Sequence, residues 1–299
     1  MNTDPASDRE SRDGPLAPGL YLVATPIGNL EDITLRALRV LRSVDRIACE
    51  DTRQTQKLLN HYGIRTPTVS YHMHNEAGRA AELAAELQAG ARIAVVSDAG
   101  TPGIADPGGQ IAAAATAAGV PVFPVPGANA AISALIASGL AGQAGAFTFH
   151  GFLPAKEGQR KTALEALRGN GENSGAQVFY EAPHRILDTL ADLEAIFGPA
   201  QHVVVARELT KLHEEFLRGP VGEVRGALAG RASVRGEIVL LFALPETKGA
   251  AETSSVAGEV RALMRQEGIA EMDALKRVAR ARGMGKSEAY RELQRERGR

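Results

Sequence analysis

Apolar residues recur along this chain in short, β-branched runs that stop abruptly at glycine, proline or polar residues. Such runs read as buried strands bounded by turns. In the first part of the chain they fall at Gly19–Ala24, Arg46–Cys49, Thr68–Tyr71, Ile93–Val96 and Val120–Val125. Stretches with helical spacing separate them, at Ile33–Leu41, which Asp32 is placed to cap, through Leu58 and Leu59, at Ala77–Leu87 and at Ile111–Ala118. A further one, Ala131–Ala137, follows the fifth strand. Strand, loop and helix in repetition predict a parallel sheet flanked by helices.

The pattern then changes. Strand-like runs at Ala146–Phe149, Gln177–Tyr180, Gln201–Ala206, Glu214–Arg218 and Gly236–Ala243 are joined in places by short loops without a helix. That implies a mixed sheet with antiparallel pairs. Helices are expected at Glu157–Leu167, through Leu187, Leu190 and Leu193, and at Val221–Leu228. The fold class is therefore α/β, with domains at residues 19–126 and 127–245. Residues 1–18 read as a disordered tail, 246–258 as a linker and 259–299 as a basic helical unit. Within that unit, Leu275 to Tyr290 has the form helix, glycine turn, Ser287-capped helix, the outline of a helix-turn-helix.

Chemistry concentrates where strands end. Arg92-Ile-Ala-Val-Val-Ser-Asp-Ala-Gly-Thr-Pro-Gly-Ile-Ala-Asp-Pro-Gly109 is strand, glycine loop and helix start. Gly100 and Gly103 bracket Pro102 and allow backbone conformations that a Cβ would block. Asp106-Pro107 reads as a helix N-cap with proline at the first position. The loop is neither a P-loop nor Gly-x-Gly-x-x-Gly, and no lysine stands near to neutralise a polyphosphate. A less anionic ligand, held by backbone groups and a carboxylate at the carboxyl edge of the sheet, fits better. Glu50-Asp51-Thr52-Arg53 forms a second polar cluster at a strand end, where Asp51 or Thr52 is expected to cap the next helix. His72 and His74 sit at i and i+2, but no further ligands accompany them, so no metal is expected.

Composition narrows the reading. The single cysteine, Cys49, excludes an internal disulfide and suits a reducing cytoplasm. No apolar run approaches the ~20 residues that span a membrane. Net charge is −1 over the whole chain. From Lys276 to Arg299, however, nine Lys/Arg stand against three Glu, a local +6. That is an electrostatic footprint for an anionic partner.

Seven ordered segments carry a family resemblance: Thr25-Pro-Ile-Gly-Asn-Leu30, Glu50-Asp-Thr-Arg53, His74-Asn-Glu76, Ser97-Asp-Ala-Gly-Thr-Pro102, Gly151-Phe-Leu-Pro154, Tyr180-Glu-Ala-Pro-His-Arg185 and Ala206-Arg-Glu-Leu-Thr-Lys211. On these the chain resembles the tetrapyrrole-methylase-like S-adenosylmethionine (SAM) methyltransferases. Within them it is similar to the branch that methylates the ribose 2′-hydroxyl of a decoding-centre cytidine in 16S rRNA. One departure is Pro126-Gly-Ala-Asn-Ala130, where the family usually has Pro-Gly-Pro-Ser/Cys-Ala.

The resemblance implies SAM as methyl donor without a metal, bound in a cleft between two α/β domains. It implies 16S rRNA within the 30S subunit as partner, a homodimer, and no membrane. Carried over residue by residue, it assigns Asp98, Gly100, Thr101, Pro102, Ile104, Ala130, Ala131, Ala182, Pro183 and Gly236 to the cofactor. Glu50, Asp51, His74, Glu76 and Glu181 are candidate bases for the hydroxyl, with Arg53, Arg185 and Lys211 to hold phosphates or orient carboxylates. Two other classes stay open: a SAM-dependent methylase of a tetrapyrrole-like small molecule, and a non-catalytic RNA-binding protein on the same fold.

Overall fold

The computed structural model describes residues 14–72, 76–141, 145–169, 175–244 and 256–297. It contains two five-stranded sheets. The first comprises β1 (Gly19–Val23), β2 (Arg46–Cys49), β3 (Thr68–Ser70), β4 (Arg92–Val96) and β5 (Val122–Val125). Their order is β3-β2-β4-β1-β5 and every pairing is parallel. Helices α1 (Leu35–Ser43), α2 (Thr52–His61), α3 (Glu76–Gln88) and α4 (Gly109–Ala117) connect the strands.

Period-two alternation sends neighbouring side chains of one strand to opposite faces. On β4, Ala94 and Val96 join a core with Ala37, Val40 and Leu41 of α1. Ile93 and Val95 join another with Leu83 of α3 and Ile111 of α4. Both faces are covered, which is why these strands are continuous apolar runs. Each fully buried Leu, Ile or Val contributes about 1.5–3 kcal/mol.

The second sheet comprises β6 (Phe147–Phe152), β7 (Ala176–Glu181), β8 (His202–Arg207), β9 (Glu215–Pro220) and β10 (Ile238–Ala243), in the order β6-β7-β10-β8-β9. β6 runs parallel to β7, while β10 is antiparallel to both β7 and β8. Helix α5 (Ala130–Ser138) packs Ala131, Ala134 and Leu135 against Val178, Val239 and Leu241 on one face. On the other face lie α6 (Glu157–Gly169), α7 (Ile186–Phe197) and α8 (Val221–Ala229), where buried Phe242 stacks on Phe179 and meets Phe197 at a tilt. A buried ion pair, Arg160 Nε to Asp192 Oδ2 at 2.7 Å, ties α6 to α7.

Three capping expectations resolve at the atomic level. Asp51 caps α2, accepting from Arg53 N at 2.8 Å. Thr34, not Asp32, caps α1; Asp32 closes a short 3-10 turn, Leu30–Asp32, instead. Asp106 does not cap α4. That helix starts later, at Gly109, with Gly108 at the cap, and Asp106 is released to the loop before it.

By compactness the chain divides into one unit of Met1–Glu165 and Gly175–Ala243, which holds both sheets, and a second of Ala166–Ser174 and Leu244–Arg299. The second contains α9 (Val256–Glu267), α10 (Glu271–Ala281) and α11 (Lys286–Arg297). Val260, Leu275, Val278 and Leu293 form its core. Gly283, at φ +64°, makes the turn between α10 and α11. Ser287 lies inside the first turn of α11, whose leading amides, Glu288 and Ala289, bond to the Gly285 carbonyl.

Candidate functional site

All strands of a parallel sheet end at one edge, so the first sheet delivers its motif loops together. Two of them are joined directly. Thr25 N donates to Gly100 O at 2.8 Å and Gly100 N returns a bond to Thr25 O at 3.0 Å. Gly100 sits at φ +83°, and a Cβ there would lie 3.3 Å from Ile27 Cγ2. Gly103 also takes φ +83°. Thr101 Oγ1 donates to Ala128 O at 3.1 Å, tying this loop to the one that precedes α5. In that loop Asn129 caps α5 by accepting from Ile132 N at 3.1 Å. The departure at Ala128-Asn129 thus keeps both a carbonyl for Thr101 and a helix cap.

The second sheet brings its motifs to the same place by register. Ile238 pairs with Glu181 on one side and with Arg207 on the other. Because β10 is antiparallel, its entrance, Gly236-Glu237, coincides with the exits of β7 and β8. Lys211 Nζ bonds Glu208 at 2.9 Å and Glu237 at 3.0 Å. Gly236 is required here, since at φ +88° a Cβ would collide with Glu208 Cδ at 2.4 Å. Asn29 N donates to Thr210 Oγ1 at 3.1 Å, a bond between loops 181 residues apart. Glu208 and Thr210 hold left-handed φ values of +52° and +64°, so this loop is strained into place.

Between these edges lies a cavity of about 380 Å³. Asp98, Gly100, Thr101, Ile104, Ala130, Ala182 and Pro183 line it, among the residues assigned to the cofactor. Pro102 and Ala131 are buried behind the lining, and Gly236 precedes the lining residue Glu237. Ile27, Leu209, Ile238 and Val239 give it an aliphatic wall. Asp106, Glu237, Phe152 and Tyr180 also line it, and sequence reasoning missed all four. By local pattern Asp106 reads as a helix cap, and Glu237 as the start of a strand. Phe152 and Tyr180 lay in segments noted for resemblance without a role. A second cavity of about 310 Å³ shares Ile27, Asp98, Ala99 and Glu237 with the first and extends to Gln54, Thr55 and Lys57 of α2.

The carboxylates divide by environment. Glu181 is fully engaged: Oε1 accepts from Ala182 N at 2.7 Å and Arg185 Nε at 2.9 Å, and Oε2 accepts from Thr189 Oγ1 at 2.6 Å. Asp51 is engaged as the α2 cap and by Arg53 Nη2 at 3.0 Å, which hold its carboxyl below the usual range. Arg53 itself is largely exposed. Asp98 Oδ1 accepts from Asp51 N at 3.1 Å, which positions it at the cavity edge. Burial, with repulsion from Asp98, pushes Glu50 up. Burial pushes Asp106 furthest, to about 6, with repulsion from Glu50, Asp98 and Glu237 added and a Ser97 hydrogen bond opposing. Ala105, at φ +62°, holds Asp106 in a strained loop. His74 and the side chain of Glu76 lie outside the described residues.

Comparison with known proteins accords with this architecture. Residues 19–225 match the family of tetrapyrrole (corrin/porphyrin) methylases. The chain is 46% identical over 273 residues to ribosomal RNA small subunit methyltransferase I of Synechocystis sp., covering 91% of this chain and 95% of that protein. It is 45% identical to the protein of the same name from Bacillus subtilis, covering 91% and 92%. Among solved structures, diphthine synthase shares the fold at a TM-score of 0.58, with 14% identity over 75% of this chain and 89% of that one. So does uroporphyrin-III C-methyltransferase from Thermus thermophilus complexed with S-adenyl homocysteine, at a TM-score of 0.51, with 20% identity over 75% and 97%. The chain therefore belongs to the tetrapyrrole methylase family, in the branch of the small-subunit ribosomal RNA methyltransferase I proteins.

Proposed function

We propose that this protein is a SAM-dependent methyltransferase of small-subunit ribosomal RNA, and that it modifies the ribose 2′-hydroxyl of a decoding-centre cytidine in 16S rRNA. The observation that carries the reading is the carboxylate-edged, aliphatic-walled cavity where the motif loops of both sheets converge. The likeness of the chain to the rRNA methyltransferase I proteins, 45–46% identical over 91% of its length, supplies the substrate class.

The residues present fit SAM. Asp98, Asp106 and Glu237 suit a ligand bearing an ammonium and a sulfonium, and they would repel a polyphosphate. Ile104, Ile238 and Val239 suit an adenosine, and the volume lies within the range of small-ligand sites. When bound, SAM supplies an activated methyl group. The protein's own work is alignment of acceptor and donor, worth up to ~7–11 kcal/mol in favourable cases. Among the described candidate carboxylates, Asp51 and Glu181 are committed to hydrogen bonds, which leaves Glu50, joined by Asp106 on the cavity wall, to accept the hydroxyl proton. Glu181 and Arg185 fix the wall that carries Ala182 and Pro183.

The reading includes a homodimer and binding to assembled 30S subunits in the cytoplasm. Ile132 and Ile136, one turn apart on α5 and exposed, offer an apolar stripe for a second copy. The helical unit would grip phosphate. Over residues 256–297 it carries ten Lys/Arg against seven Asp/Glu, so its net charge, +3, is half that of its C-terminal stretch. Lys276 and Arg282 are paired with Asp273 and Glu259.

Transfer of tritiated methyl from SAM to unmethylated 30S subunits, naked 16S rRNA and a tetrapyrrole tests the assignment. Mass spectrometry of the digested RNA identifies the nucleoside. We expect 2′-O-methylcytidine from 30S subunits. Label on a base, or on the tetrapyrrole alone, would overturn the reading. Deleting residues 250–299 should leave SAM affinity unchanged and flatten the dependence of 30S binding on salt, through fewer released counterions.

A further inference from the structure

Phe152 is 56% exposed although it lines the wall of the cavity. Its position follows from an irregularity in β6. Phe149 pairs with Val178 and Phe152 with Tyr180, so three steps on β6 oppose two on β7. Such a bulge re-aims a side chain. In a regular strand residues three apart face opposite sides of the sheet. Here both rings meet Tyr180, Phe149 at 4.9 Å and Phe152 at 5.6 Å between centroids. Gly151, at φ +67°, supplies the backbone turn. The fold spends a bulge and a left-handed glycine on putting a large apolar ring where water reaches it.

An open aromatic ring beside a carboxylate-edged cavity is a stacking surface. The deep wall is aliphatic, with Ile238 and Val239 almost completely buried, whereas Phe152 stands at the mouth. RNA enzymes read unstacked bases on such rings. We propose that Phe152 is the platform on which the nucleobase of the target nucleotide stacks, holding its ribose over the cavity. This rests on the rRNA methyltransferase reading. Tyr180 packs against Phe152, the two ring planes 63° apart.

The test uses the full chain, unmethylated 30S subunits and SAM, with Phe152→Ala and Phe152→Tyr compared. Loss of one base–aromatic stack corresponds to a fall of about 5- to 150-fold in kcat/KM for 30S subunits. Phe152→Ala should show that fall, with calorimetric SAM affinity and melting temperature unchanged. Phe152→Tyr, which keeps the ring, should retain activity. Unchanged kcat/KM in the alanine variant overturns the proposal. So does a matching loss of SAM affinity, which would give the ring to the adenine of the methyl donor. So does failure of the tyrosine variant. Wild-type protein run in parallel separates the two readings: if it transfers no methyl to 30S subunits, the functional assignment falls and this inference with it. If it does and the variants behave alike, only the platform is wrong.

Discussion

The two sheets build the same cleft by different means. The first is wholly parallel, so each strand hands its loop to one edge, and the loops are held largely by backbone bonds such as Thr25–Gly100. The second is mixed, and its contribution arises from antiparallel register, which sets the entrance of β10 beside the exits of β7 and β8. That edge is fixed by side-chain networks: Glu181 with Arg185 and Thr189, Lys211 with Glu208 and Glu237, and Arg207 and Arg231 on Glu215. The first edge rests on backbone bonds at conformationally permissive glycines, the second mainly on satisfied charges, with Gly236 as the glycine it requires. Substitutions should therefore cost unequal amounts in the two halves.

The largest effect is expected at Glu181. Alanine there strands the half-buried Arg185 guanidinium and the buried Thr189 hydroxyl. Breaking a buried pair by removing one partner costs about 3–5 kcal/mol. Urea denaturation of Glu181→Ala measures it, and a loss below that of a surface cap would erase the contrast between the halves.

Asp106 comes next. Its carboxyl is raised from 3.8 to about 6, so the folded state prefers the protonated form. That contribution to stability is complete below the unfolded value and is lost as pH rises through about 6. Asp106→Asn, neutral throughout, should melt above wild type at pH 8 and level with it at pH 3.5. A constant difference across that range would remove the burial argument. Methyl transfer by the variant should fall, through loss of a proton acceptor.

Smaller effects belong to the first sheet's edge. Ala130→Leu should weaken SAM by about 10-fold or more, roughly 1.4 kcal/mol, by filling the cavity from the first turn of α5. Titration calorimetry reads this, and unaltered affinity would move the cofactor elsewhere. Asp51→Ala should lower the melting temperature slightly through the lost helix cap. Arg53→Ala, removing an exposed ion pair, should leave stability nearly unchanged. If Arg53→Ala nonetheless lowers activity per folded molecule, the exposed guanidinium serves the RNA.

What the sequence determined is the local grammar. Each of the ten strands among the described residues overlaps a strand-like run predicted in the sequence, although β6 runs on to Phe152 and β9 to Pro220, and the parallel and mixed halves were separable by whether helices intervened. Those signals are local: strand alternation, glycine and proline turns, and Asp51 as a cap two residues from its amide. Tertiary structure alone decided strand order, the release of Asp106 from capping, the engagement of Glu181 and the entry of Glu237 and Phe152 into the cavity. Each of these depends on contacts between residues dozens to hundreds of positions apart, or on a bulge whose sense exists only against a partner strand. Burial against those distant partners, rather than any neighbour in the chain, fixes where a carboxylate is committed and where it is left to react.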